Sequence, residues 1–154
     1  MTMLESPMEW KFARALQGYA ECFAERAPCS MDDLVAARAR PPGPYFTYAP
    51  QVTVGRHRVD FGFVADCFDV NEPIRLAVEI DGHEFHEKTK WQAARDRKRD
   101  RELVNEGIYV MRFTGSEIYR DPDQCAYEVL SFLVVQQSGS IDRMWERARP
   151  GVVA

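Results

Sequence analysis

The sequence lacks the features that mark several common classes of protein. No apolar run is long enough to cross a bilayer, and the first ten residues carry two glutamates and no basic segment of a signal-peptide type. The four cysteines form no C-x-x-C pair, and the three histidines cannot complete a zinc site with them at a familiar spacing. We therefore expect a cytoplasmic protein with reduced thiols, no membrane association and no zinc site.

An excess of positive charge is also missing. The formal net charge is −4 and the isoelectric point is near 5.4, which argues against tight, non-specific binding of duplex nucleic acid. One segment departs from this average, because residues 87–101 contain seven basic and three acidic side chains and so carry a net charge of +4. This segment is a candidate phosphate-facing surface within an acidic chain.

The 154 residues, 45% of them apolar, suffice for one domain with a true core. A capping box at Ser6-x-x-Glu9 predicts the start of a first helix that ends near Ala27-Pro28. Later patterns predict a short helix after Ser30, a rigid connector at Pro41–Pro44, strands over Tyr45–Val54, Arg58–Asp66 and Arg75–Asp81, a helix over Thr89–Glu106, a buried strand over Ile108–Phe113, and a last helix from Asp121. Ser138-Gly139-Ser140 is typical of a linker, which predicts a domain over 1–137 and a tail over 138–154 with a possible short helix.

Three acidic residues on the predicted strands form the sharpest chemical signal. Glu79 and Asp81 leave the same face of one strand, and a short connection would bring Asp60 of the preceding strand beside them. Carboxylates this close repel one another unless a cation lies among them, and Mg²⁺ prefers such oxygen ligands. The alternative is that these acids are edge-strand charges or ion-pair partners of the arginine-rich helix.

The segments "RVDF", "LAVEIDGHEFH" and "RDRKRDRELVNEGIYVMRF" together resemble the PD-(D/E)xK nuclease superfamily. Within it, the chain is similar to the group of very-short-patch-repair-like endonucleases and related small domains of the DUF559-like type. The resemblance covers roughly residues 6–133. It implies an α/β fold, an α+β mixed sheet flanked by helices in the restriction-endonuclease-like order αβββαβα.

The resemblance also implies roles for single residues. Asp60 and Glu79 match the acidic metal ligands, and the carbonyl of Ile80 would be a further ligand. The chain departs from the signature at Asp81, where the signature has a lysine. Asp81 then either belongs to an acid-rich site that could hold a second metal ion, or the role of the lysine is taken by a basic group from elsewhere. Lys88 and Lys90 are candidates for that group. His83 and His86 are candidate proton-transfer groups, and we favour His86.

Further candidates lie on other elements. Glu9 is placed in the metal site by the resemblance, although the capping box alone accounts for it. Gln51 could approach the same face and contact substrate. On the charged helix, Arg95 and Arg99 are candidate phosphate ligands. Trp91 could pack or stack on a base, and we expect it to pack in the core. The nucleic-acid-binding candidates are Gln51, His83, Lys90, Arg95 and Arg99.

The predicted function is that of a metal-dependent endonuclease, an endodeoxyribonuclease that uses Mg²⁺, with Mn²⁺ as a substitute. Its expected partner is nucleic acid, with DNA as the expected substrate, and the chain is a monomer or a homodimer. The alternative is a catalytically inactive nuclease-fold module that binds nucleic acid or a protein. Zinc hydrolysis through His83 and His86 has little support, because one short loop supplies all the nitrogen ligands.

Overall fold

The computed structural model describes residues 4–17, 19, 21–22, 29–37, 46–66, 73–82 and 89–148. The predicted connector at Pro41–Pro44 lies outside the described residues. The elements in chain order are α1 (Pro7–Ala15), β1 (Glu21–Cys22), β2 (Cys29–Ser30), α2 (Met31–Ala37), β3 (Phe46–Val54), β4 (His57–Ala65), β5 (Ile74–Asp81), α3 (Lys90–Asn105), β6 (Tyr109–Thr114), α4 (Gly115–Arg120) and α5 (Pro122–Ala148). They confirm the predicted α+β class with a mixed sheet and flanking helices.

The sheet runs in the order β1-β3-β4-β5-β6, and β2 also pairs with β3. β3, β4 and β5 form an antiparallel meander, whereas β5 and β6 are parallel, as the predicted strand–helix–strand crossover requires. Strand β6 is less buried than predicted, because it lies at the end of this order and Tyr109 is 45% exposed. The crossover places α3 beside the strands that carry the predicted acids.

Both faces of the sheet are buried under separate apolar clusters. Phe61, Phe63 and Ala65 face a cluster shared with α1, α4 and α5, and Val64 faces a second cluster with α2 and Leu103 of α3. Val59 belongs to that second cluster, so the strict alternation predicted along β4 is wrong before Asp60. The register explains the break, because the residue opposite Asp60 on β3 has a left-handed backbone.

The first helix is much shorter than predicted. Ser6 caps α1 as expected, but the helix ends at Ala15 with Leu16 as its C-cap, and Tyr19 is 66% exposed. The apolar spacing beyond Leu16 therefore does not continue a helix, and Glu21–Cys22 instead pairs with β3. Sheet pairing has overridden a helical period here, which a sequence pattern cannot anticipate.

The last helix is longer than predicted. α5 continues through Ser138-Gly139-Ser140 to Ala148, so the predicted linker is wrong. A single glycine costs a helix only about 1 kcal/mol relative to alanine, and the residues on both sides continue the helix. The apolar stripe of Cys125, Val129 and Leu133 is buried as predicted. The division into a domain over 1–137 and a tail over 138–154 stays a prediction.

Candidate active site

Gln51 and Asp60 lie opposite each other in the β3–β4 hairpin, between the pairs Pro50–Phe61 and Val52–Val59. Gln51 is the one described non-glycine residue with a positive φ, 52°, and its side chain is 2% exposed. Such a backbone is strained for a glutamine, and strain of this kind is typical of functional sites. Its amide Nε2 donates a hydrogen bond to Glu9 Oε2 at 3.1 Å.

Glu9 reaches this place from the first turn of α1. The backbone N–H of Glu9 donates to Ser6 Oγ at 3.2 Å, and its carboxylate accepts from the backbone N–H of Glu5 at 2.8 Å. Burial raises the pKa of Glu9, and the negative charge of Asp60 raises it further. Ser6 therefore caps the helix as predicted, but the Glu9 carboxylate accepts from the N–H of Glu5 and not from that of Ser6. The same carboxyl group lies close enough to Asp60 for its pKa to respond to that charge.

Asp60 and Glu79 form the centre of the site. The backbone N–H of Ile80 donates to Asp60 Oδ2 at 2.7 Å, which fixes the Asp60 carboxylate against β5. The Glu79 side chain is buried and contacts that of Asp60. Burial, followed by the charge of Asp60, raises the pKa of Glu79 well above its ordinary value, and Arg99 acts in the opposite direction. Two carboxyl groups in contact do not both ionise readily, so the pair either keeps a proton or needs a nearby cation.

Arg99 of α3 brings positive charge to this pair. Its Nη2 donates to Glu79 Oε1 and also to the carbonyl oxygen of Arg58, which lies two residues before Asp60 on β4. The Arg99 side chain is 24% exposed, whereas that of Glu79 is 7% exposed. The guanidinium therefore lies at the border between the buried acid and solvent.

Asp81, on the same strand as Glu79, is ion-paired with Arg112. It accepts from Arg112 Nη1 at 3.1 Å, and Arg112 also donates through Nε and Nη2 to both oxygens of Asp100, at 3.1 and 2.6 Å. Within the described residues, no three His, Cys, Asp or Glu side chains form a group arranged to hold a metal ion. Asp60 and Glu79 thus contact each other, and Asp81 is ion-paired with Arg112, whose charge also acts on Glu79.

The remaining predicted residues divide into two groups. His83, His86 and Lys88 lie outside the described residues. Lys90 and Arg95 are exposed on α3. Trp91 is 82% exposed, so its predicted packing in the core is wrong. α3 buries only Leu103 completely among its side chains, and its start projects beyond the apolar cluster.

Sequence analysis missed Arg112. It lies opposite Glu79 in the β5–β6 register, and its guanidinium links Asp81 on β5 to Asp100 on α3. A signal was present, because an arginine inside "YVMRF" interrupts a strand predicted to be buried. A charged residue in such a strand needs an acidic partner, but the sequence does not say which one.

A comparison with protein families matches residues 43–133, more than half of the chain, to REase_MTES_1575. The chain belongs to this restriction-endonuclease-like family. The REase_MTES_1575 match includes β3 to β6 and α3, and with them Gln51, Asp60, Glu79 and Arg99, whereas Glu9 on α1 lies before it. Membership supports a nuclease-type domain and nucleic acid as the partner.

Two further comparisons add no relative, since no curated protein and no solved structure matches the chain. Among the described helices, none has the length and apolar character needed to span a membrane.

Proposed function

We propose that the protein is a metal-dependent endonuclease that hydrolyses phosphodiester bonds of nucleic acid, with DNA as substrate and Mg²⁺ as cofactor. We place it in the PD-(D/E)xK superfamily and expect it to act in the cytoplasm. The observation that supports this proposal is the buried contact between the carboxyl groups of Glu79 and Asp60, beside a cation on α3. Such a donor set, made of hard oxygen atoms from two acids beside one arginine, fits a divalent cation.

In this proposal Asp60, Glu79 and the carbonyl oxygen of Ile80 hold the ion. Bound Mg²⁺ supplies Lewis-acid polarisation of a phosphoryl oxygen and makes water more acidic. The protein orients these ligands through its own hydrogen bonds: the Ile80 amide holds Asp60, and Arg99 holds Glu79. Gln51 and Ser6 hold the Glu9 carboxyl group nearby, where it can accept a proton or position water.

The decisive experiment compares cleavage of labelled single-stranded DNA, duplex DNA, branched DNA and RNA in Mg²⁺, Mn²⁺ and EDTA. Asp60→Asn and Glu79→Gln keep the shape of each side chain and remove its charge. We expect cleavage only with metal, and a loss of roughly a hundredfold or more in either variant, because each removes a charged group at the reacting centre. Glu128→Gln, an exposed acid on α5, is the matched control and should cleave like the wild type.

A second candidate function is that of an inactive module that binds nucleic acid. The observation that favours it is the ion pair between Arg99 and Glu79, which already compensates the buried acid without a metal. Position 81 also lacks the lysine of the superfamily signature. If no substrate is cut with either metal while binding persists in EDTA, the nuclease proposal falls and the binding module takes its place. Titration of the protein with Mn²⁺ also separates the two functions, because the nuclease should bind the ion whereas an inactive binding module does not require it.

A further inference from the structure

One face of α3 combines an exposed aromatic ring with two cations. Trp91, Arg95 and Arg99 follow one another at intervals of four residues, which places them along one side of the helix over about 12 Å. Trp91 is 82% exposed and Arg95 is exposed, whereas Arg99 contacts β4 and β5 through Arg58 and Glu79. The series therefore runs from open surface to the acidic pair.

The start of this helix is well fixed, so the exposed tryptophan has a defined position. Thr89 and Gln92 form a reciprocal capping box, with the Gln92 N–H donating to Thr89 Oγ1 at 3.2 Å and the Thr89 N–H donating to Gln92 Oε1 at 3.0 Å. An exposed indole ring beside cations offers a flat apolar face on which a ligand can stack. A nucleic-acid base is a flat apolar partner whose own phosphates complement the neighbouring arginines.

We propose that the face formed by Trp91, Arg95 and Arg99 is a track that binds an unpaired nucleic-acid strand and leads it to the acidic site. A base stacks on Trp91, and successive phosphates contact Arg95 and Arg99. The partner is unpaired because both faces of a base inside a duplex are already covered by its neighbours. The direction of the track rests on the proposed function, but strand binding itself does not.

The contacts of Arg99 suit this role better than those of Arg112. Arg112 uses three nitrogens on two carboxylates, so its donors are committed to holding α3 against the sheet. Arg99 makes its contacts within the described part of the chain through Nη2. Its guanidinium is partly exposed and has other donors with which to meet a phosphate.

The test measures the dissociation constants of labelled oligonucleotides in EDTA, where cleavage does not interfere. A single strand and a blunt duplex that contains it are bound to the wild type, Trp91→Ala and Arg95→Gln. We expect Trp91→Ala to weaken single-strand binding about tenfold and to leave duplex binding unchanged. Arg95→Gln should weaken it several-fold, because one phosphate contact is lost. Neither position is buried, and circular dichroism verifies that both variants fold.

Two matched controls come from the same chain. Trp10→Ala removes another exposed tryptophan, 53% exposed on α1, and Arg97→Gln removes a cation on the opposite side of α3 from Arg95. Both should bind the single strand within about twofold of the wild type. The track is wrong if Trp91→Ala binds the strand like these controls, or if it weakens the duplex equally. A wild type that binds through Trp91 but cuts nothing would refute the proposed function and leave the track standing.

Discussion

Gly62 lies two residues after Asp60, in the middle of the hairpin that carries the site. A Cβ at this position would lie 2.9–3.0 Å from three side-chain atoms of Val52, a branched residue buried in the second cluster. The glycine is thus required by close packing between β3 and β4, and not by an unusual backbone angle.

We expect Gly62→Ala to destabilise the protein by about 1–3 kcal/mol, because Val52 cannot turn away without disturbing its neighbours. Chemical denaturation of the purified variant measures this difference. Gly82→Ala is the control, since no atom of the described residues lies within 4 Å of its added Cβ. Equal stability of the two variants would show that the hairpin adapts to the extra methyl group.

At the same scale, the sequence predicted the acids of the site better than their partners. Asp60 and Glu79 follow from strand alternation and the family resemblance, and the structure brings them into contact. Arg99 was predicted to bind phosphate, but its contact with Glu79 depends on how α3 lies across the sheet. Arg112 depends on the β5–β6 register. Both sets of contacts depend on long-range packing, which no local sequence pattern specifies.

Among the elements, α3 is attached to the hairpin turn by a separate ion pair. Arg56 donates through Nη2 to both oxygens of Glu102, at 2.7 and 2.9 Å, and His57 Nε2 lies 2.6 Å from Glu102 Oε2. The hydrogen bonds from Arg56, then those from His57, lower the pKa of Glu102 from 4.5 to about 2. This contact joins the β3–β4 turn to the helix that carries Arg99.

A lowered pKa in the folded state makes this contact stabilising above pH 4.5, and the contribution is lost as the pH falls towards 2. We expect Glu102→Gln to unfold at a lower temperature than the wild type at pH 7. The difference should shrink between pH 4.5 and 2, as measured by thermal melts across that range. Glu106→Gln, one turn further along the chain, is the control. A difference that stays constant down to pH 2 would contradict the assignment.

The order and kind of the main elements could be predicted, whereas the ends of two helices could not. The capping signal at Ser6 gave a correct helix start, and the helix predicted from Thr89 begins at Lys90 with Thr89 as its N-cap. Helix α4, which was not predicted, also carries such a signal, the capping box formed by Thr114 and Glu117. The end of α1 and the continuity of α5 depend instead on tertiary contacts that outweigh local propensity.

For the molecule as a whole, the acidic balance limits how nucleic acid can bind. With a net charge of −4, the molecule as a whole does not attract phosphates, so we expect affinity to come from a few local cations together with stacking. This differs from proteins that bind duplexes through broad basic surfaces, whose affinity falls steeply with salt.

We therefore expect a shallow dependence of single-strand binding on salt. Two phosphate contacts, by Arg95 and Arg99, give a slope of about −1.4 for the logarithm of the association constant against that of salt concentration. Binding at 50–200 mM salt in EDTA measures the slope, and Arg95→Gln should reduce its magnitude by about 0.7. A slope several times steeper would indicate a wider basic surface than the α3 face.

The left-handed backbone of Gln51 has a consequence for protein engineering. Holding a glutamine at a φ of 52° costs roughly 1–3 kcal/mol, and glycine adopts this conformation with much less strain. A search for thermostable variants that scores folding energy alone would accordingly favour glycine there. That glycine would lack the side-chain amide that holds Glu9. Screens for stability and screens for activity would therefore select different residues at this position.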